Sequence, residues 1–178
     1  QPIHGSLICN ASTPSSVLCL DRPHHPTPAK GPCVATVKFT VTRDLPLPAR
    51  AVFDELIDWQ GHAKWVPLTR VEILKGDGGP GTEFIATSGI GPAALPDRMR
   101  VDSLDADAMT VRVTKFGPVL TGDVHLKVTS TGDQTSRLEW AEDVLVPYMP
   151  QFLAKPVAAA ARQGFQTSIT RMAKLIAV

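Results

Sequence analysis

The sequence predicts an α+β domain: a seven-stranded antiparallel sheet, two short helices after its first strand, and one long helix near the C-terminal end. Three observations carry this. Residues 34–43, "VATVKFTVTR", alternate apolar and polar side chains at the period of a half-buried strand. Between residues 69 and 146, further alternating runs follow one another, separated by turn residues, which describes a meander of hairpins. Residues 156–177 place Val157, Ala161, Phe165, Ile169, Met172 and Ile176 at steps of four, four, four, three and four, tracing one helical face. A lone amphipathic helix has to cover the apolar face of such a sheet.

In chain order, the first strand puts Val37, Phe39 and Val41 on one side and Thr36, Lys38, Thr40 and Thr42 on the other. "LPLPAR" turns the chain, and Pro48 suits the first turn of a helix over 49–57. Residues 58–66 form a second short helical or irregular segment, broken at Gly61. The strand "TRVEILKG" ends in "DGGPG", residues suited to positive φ. "TEFIATS" follows, and then the Gly/Pro-rich connection 89–96. "DRMRVDSLD" and "AMTVRVTKF" flank an acidic turn. "PVLTGDVHLKVTS" passes through "TGDQ" into "TSRLEWAEDVLV". Pro147 and Pro150 precede the long helix, in which Gly164 costs about 1 kcal/mol against alanine. A small residue there suggests a strand or a ligand approaching the helix closely.

The chain has 178 residues, enough for one domain with a sizeable core. Its 43% hydrophobic and 20% charged residues are ordinary for a globular protein. A net charge of +1 gives no electrostatic case for nucleic acid, and no apolar run is long enough for an integral membrane segment. Residues 1–33 carry six prolines without periodicity and read as a disordered or non-native arm; the domain is expected over 34–178. Cys9, Cys19 and Cys33 all fall in that arm, which argues against a disulfide framework or zinc site. The cysteine-free body suits the cytoplasm. His24 and His25 lack a third ligand nearby, so no metal and no cofactor are expected. "NAS" at 10–12 matches a glycosylation acceptor by chance, since Asn10 to Ser16 break any secretory leader core.

Alternation sorts the candidate site residues. Met99, Val101, Val111 and Val113 face inward, with Arg98, Arg100 and Arg112 outward in a charge lattice with neighbouring acids. Val124, Leu126 and Val128 face inward, which turns His125 outward and removes it as a base. Leu138, Trp140, Glu142 and Val144 share the inward face. A carboxylate on an apolar wall is costly unless paired, and makes Glu142 a candidate general acid or polar anchor. The competing reading, weighted equally, is that Glu142 lies near the strand end and is partly wet, or that a bulge at Glu142-Asp143 turns it outward. His62 is read as a surface histidine near a cavity rim, and Tyr148 as an entrance gate or a strand-end cap. No nucleophile motif is present, and "GDGGPG" at 76–81 lacks the lysine and helix of a phosphate loop. Lys155, Arg162, Arg171 and Lys174 make a solvated cationic helix face; 16 of the 18 basic and 16 of the 17 acidic residues lie from Val34 onward, so the body is balanced.

The carriers "VFDELIDWQGHAKWVP", "VEILKGDGGPGTEF" and "RLEWAEDVLVP", followed by the closing helix, resemble the helix-grip, or START-like (SRPBCC), superfamily over residues 34–178. It includes polyketide cyclases, lipid-transfer proteins and the major birch pollen allergen. Asp58 with "KWVP" matches its first-helix ending, and "GPGTEF" its glycine-led strand. The resemblance implies a curved sheet wrapped around the long helix, and two short helices forming a cradle wedged by Trp65 and Trp59. Packing is favoured for Trp65 and is open for Trp59. Members bind, carry, cyclise or sense different molecules, so activity is specified less narrowly than fold. The expectation is a binding or transport protein for a lipid-like or polycyclic hydrophobic small molecule, a monomer or weak homodimer. Its wall would comprise Phe39, Trp59, Trp65, Phe84, Trp140, Phe165, Ile169 and Met172, with Glu142 orienting the ligand. The alternatives are a polyketide cyclase or aromatase using Glu142 as the catalytic acid, and an interaction protein whose cavity is filled.

Overall fold

A computed structural model describes residues 34–177. The arm over 1–33, its three cysteines, His24, His25 and Asn10 lie outside the described residues. The elements are β1 (Val34–Leu45), α1 (Ala49–Ile57), α2 (His62–Trp65), β2 (Thr69–Lys75), β3 (Glu83–Ser88), β4 (Leu95–Asp105), β5 (Thr110–Pro118), β6 (Thr121–Gly132), β7 (Thr135–Pro147) and α3 (Ala154–Ile176). Short 3-10 turns at Gly91–Ala93 and Gln151–Leu153 lead into β4 and α3.

The seven strands form one curved sheet in the order β1-β7-β6-β5-β4-β3-β2, and every pairing is antiparallel. β2 to β7 run as a meander because short turns allow only antiparallel neighbours. β1 returns beside β7, with Val41 opposite Trp140 and Phe39 opposite Glu142. The turn after β2 uses Gly76, Gly78 and Gly81 at φ of 92°, 105° and 86°, a region that side-chain-bearing residues rarely enter.

Period-two alternation predicts the faces well. Val37, Val41, Val101, Val111, Val113, Val124, Leu126, Val128, Leu138 and Val144 are all buried. Arg98, Arg100, Arg112 and His125 are on the outer face. Arg98 pairs across strands with Glu83 at 2.9 Å, as the charge lattice requires, whereas Arg100 pairs with Asp102 of its own strand at 3.0 Å. Gly122 sits at φ 142°, and a Cβ there would strike the Asp143 carbonyl oxygen and the Val144 Cα. It lets β6 and β7 meet closely.

α3 lies against β1 and touches α1 and α2. Ile169 and Met172 are fully buried on its inner face. Each contributes on the order of 1.5–3 kcal/mol by leaving water. α1 buries Val52, Phe53 and Leu56 on the same core. Its first residue is Ala49, with Pro48 just before it accepting the Val52 N–H at 3.2 Å. The close approach expected at Gly164 is absent: a Cβ there meets no atom within 4 Å, and the residue is exposed on the outer side of α3.

Candidate functional site

The concave side of the sheet is not solidly filled. A cavity of about 120 Å³ remains between β2–β7, the segment from Trp59 to Val66, and Phe165 of α3. Its walls are mainly aromatic and aliphatic. Trp59 stacks on Phe84 with ring centroids 5.0 Å apart and planes 19° from parallel. Trp140 lies 4.7 Å from Phe165. The Trp59 indole N–H donates to the Gly78 carbonyl at 2.8 Å, which ties the cradle to the β2–β3 turn and satisfies the one polar atom of that side chain.

One part of the wall is charged. Glu142 faces inward: the register of β7 with both β1 and β6 runs through Glu142 and Asp143 without a bulge, so strict alternation decides its side. Its Oε1 accepts the Trp140 indole N–H at 2.9 Å, and its Oε2 lies 3.4 Å from Lys115 Nζ. Lys115 also donates to Asp97 Oδ2 at 2.6 Å. The three side chains are 5%, 8% and 14% exposed for Glu142, Lys115 and Asp97. Burial alone would push the Lys115 ammonium down. The charges of Glu142 and Asp97 and their hydrogen bonds outweigh it and hold the group above the ordinary lysine value. Asp97 Oδ1 is buried with no hydrogen-bond partner among the described residues.

His62 corrects the surface reading: it is buried and lines the cavity. The short turn at Trp59–Gly61 swings it inward, where its Nε2 hydrogen-bonds the Leu56 carbonyl at 2.8 Å and its ring packs 4.6 Å from Trp65 and 5.6 Å from Trp59. Burial lowers its pKa, more than the Leu56 carbonyl and Asp58 raise it. A neutral imidazole donating Nε2–H leaves Nδ1 as an acceptor. At another edge of the wall, the hydroxyls of Thr69 and Ser88 share a hydrogen bond of 2.7 Å.

Of the expected wall residues, Trp59, Phe84, Trp140, Glu142 and Phe165 line the cavity. Phe39, Trp65, Ile169 and Met172 do not; they stand in the packing behind it. Phe39 supports Phe165 at 5.4 Å, and Trp65 backs His62. Ile169 and Met172 fall one and two turns past Phe165, where α3 closes against solid core. Tyr148 is 82% exposed at φ 61° beyond the end of β7. Sequence reasoning missed Asp97 and Lys115. The signal was there: Lys115 continues the inward face of Val111 and Val113, and Asp97 that of Met99 and Val101.

The comparisons with known proteins agree with this architecture. Among curated proteins none matches the sequence. Among solved structures, that of Ara h 8.0201 superimposes with a TM-score of 0.64 at 20% identity, covering 80% of this chain and 98% of that one. The Zhui aromatase/cyclase from Streptomcyes sp. R1128 gives 0.64 at 18% identity, covering 80% and 93%. TTHA0849 from Thermus thermophilus gives 0.64 at 12% identity, covering 78% and 96%. At such identities these likenesses establish the shared fold. The family model described as polyketide cyclase / dehydrase and lipid transport matches residues 36–177, nearly all of the described domain, and the chain belongs to that family.

Proposed function

We propose that this domain binds a small, mostly apolar molecule in the cavity, with the Lys115–Asp97–Glu142 group orienting it. Its family spans hydrophobic-ligand binding and polyketide cyclase-like roles. The observation that supports the reading is a cavity that is aromatic on most of its wall and charged at one place, the pattern by which small-molecule sites combine affinity with orientation. At about 120 Å³ it approaches the size of cavities, about 150 Å³, that admit a benzene-sized molecule. A volume of this size favours a small occupant over a lipid chain or a polycyclic molecule. Native mass spectrometry of freshly purified protein should show a retained small molecule, and one-ring probes should shift tryptophan emission. No retained mass, together with no emission change for any probe, would sink this reading.

A second reading, a cyclase-type enzyme, is favoured by Lys115 itself. A buried ammonium beside a cavity can stabilise negative charge growing on a carbonyl oxygen, and the adjoining Glu142 can move a proton. Glu142→Gln separates the two. Loss of product formation from a polyketide-like substrate with binding retained supports catalysis. Unchanged turnover excludes Glu142 as its acid.

A further inference from the structure

The large apolar side chains left in water are gathered at one end of the sheet. β2 to β7 alternate in direction and β1 runs antiparallel to β7, so the starts of β1, β2, β4 and β6 and the ends of β3, β5 and β7 lie together. Among the described residues, the exposed large hydrophobics other than Leu74 and Leu175 fall at that end. Leu68, Ile90 and Leu95 stand on its β2–β4 side, with Ile90 70% exposed; Tyr148, Phe152 and Leu153 stand between β7 and α3, with Phe152 77% exposed. The Gly89 N–H donates to the Leu68 carbonyl at 2.9 Å, which joins the first two loops. Gln151 Oε1 accepts the Thr36 N–H at 3.2 Å, which fixes the connection to α3 beside β1. Leu68 and Tyr148 hold φ of 56° and 61°, a strained region for residues with a side chain. Both strained positions thus present a large apolar side chain to solvent.

We propose that this end of the domain docks on an anionic lipid surface. A gathering of apolar side chains in water marks a contact with protein or membrane. Charge and hydrogen bonding separate the two. The segments that build this end, 66–70, 89–96, 116–121 and 145–162, hold exposed Arg70, Lys155 and Arg162 and no acidic residue. Of the acids nearest along the strands, Asp97 and Asp143 are paired with Lys115 and Lys38, and Asp123 accepts the Thr114 hydroxyl. Glu72 stands two residues beyond Arg70, toward the other end. A second copy would set like charge against like, which opposes self-association here. A protein interface carries about ten direct hydrogen bonds, and this end has little to make them with. Its Thr69 hydroxyl is spent on Ser88, and seven of the ten prolines from Val34 onward fall in these segments. Each proline removes a backbone N–H that would lose water on entering lipid. An anionic headgroup layer supplies the opposite charge, and the acyl boundary beneath it takes the apolar side chains.

The experiment floats the full chain at pH 7 with vesicles of phosphatidylcholine alone and of phosphatidylcholine with about one-third phosphatidylserine. Binding should favour the anionic vesicles by about tenfold or more, and should weaken in about 0.5 M sodium chloride, where screening shortens to a few ångströms. Ile90→Ser and Phe152→Ser should each cost about tenfold in vesicle affinity, as expected for one large apolar side chain leaving water. Lys155→Glu should weaken binding to the anionic vesicles without changing binding to the neutral ones. Leu74→Ser, at the far end of β2, should change neither. All four side chains face solvent, so the variants should melt as the wild type does. Absence of binding to either vesicle, equal binding to both, or full affinity in Ile90→Ser and Phe152→Ser overturns the proposal. So does a loss in Leu74→Ser as large as theirs. A dimer in sedimentation that Phe152→Ser dissociates also overturns it, by showing a second copy on this end.

Discussion

Replacing Lys115 by methionine removes one charge at nearly constant volume, and the consequence can be worked from the structure. The ammonium stands 2.6 Å from Asp97 Oδ2 and 3.4 Å from Glu142 Oε2. At an effective dielectric of about 20, those separations correspond to gross attractions of about 6 and 5 kcal/mol. Most of that offsets the desolvation of three buried charges and the mutual repulsion of the two carboxylates. What the substitution exposes is that uncompensated cost, about 3–5 kcal/mol for breaking a buried pair. With a urea dependence of about 2 kcal/mol/M for a domain of this size, the midpoint at pH 7 should fall by about 2 M. The pH dependence follows from the lysine: because it titrates in the folded protein above its ordinary 10.5, its contribution is fully present below that pH and lost as pH rises through the folded value. Urea melts of both proteins at pH 7, followed by tryptophan emission, measure the deficit. A midpoint shift below about 0.5 M would refute the view that Lys115 neutralises the cavity wall.

Three further outcomes are expected. Gly164→Ala should stabilise the protein by about 0.5–1 kcal/mol, since its Cβ enters open space on a helix exterior, and a lowered melting temperature would mean something does pack there. Gly122→Ala should destabilise by about 3 kcal/mol or more, because φ 142° and the backbone of Asp143 and Val144 both reject a methyl group; a near-neutral melt would show that β6 can shift. Stability should fall as pH drops below 6.5, because the unfolded chain takes up a proton that buried His62 resists, with a slope of at most about 1.4 kcal/mol per pH unit for that one proton. His62→Gln should flatten that part of the profile, and a profile unchanged by the substitution would show that His62 is not its source.

Much of this protein could be read from one-dimensional pattern. Alternation is a local property of extended backbone, so the faces of β1, β5, β6 and β7 were set by residue order alone. The same holds for the inward direction of Glu142 once no bulge intervened, and for Ile169 and Met172 on the buried stripe of α3. Asp97 and Lys115 obeyed that rule too; they were missed because long charged side chains are normally assigned to solvent, and their burial makes sense only as a set. That they meet is a matter of register: β4 and β5 pair with shifts on either side of Met99–Val101, β6 separates Lys115 from β7, and residues 97, 115 and 142 converge only across four adjacent strands. No local period encodes such a meeting. The same is true of His62, whose place depends on the turn at Gly61, and of the division of the apolar residues into a cavity wall at Phe165 and solid core at Ile169. Periodicity states which way a side chain points, whereas the space it finds there is decided by how far the sheet curves away from the helix, a property of all seven strands together.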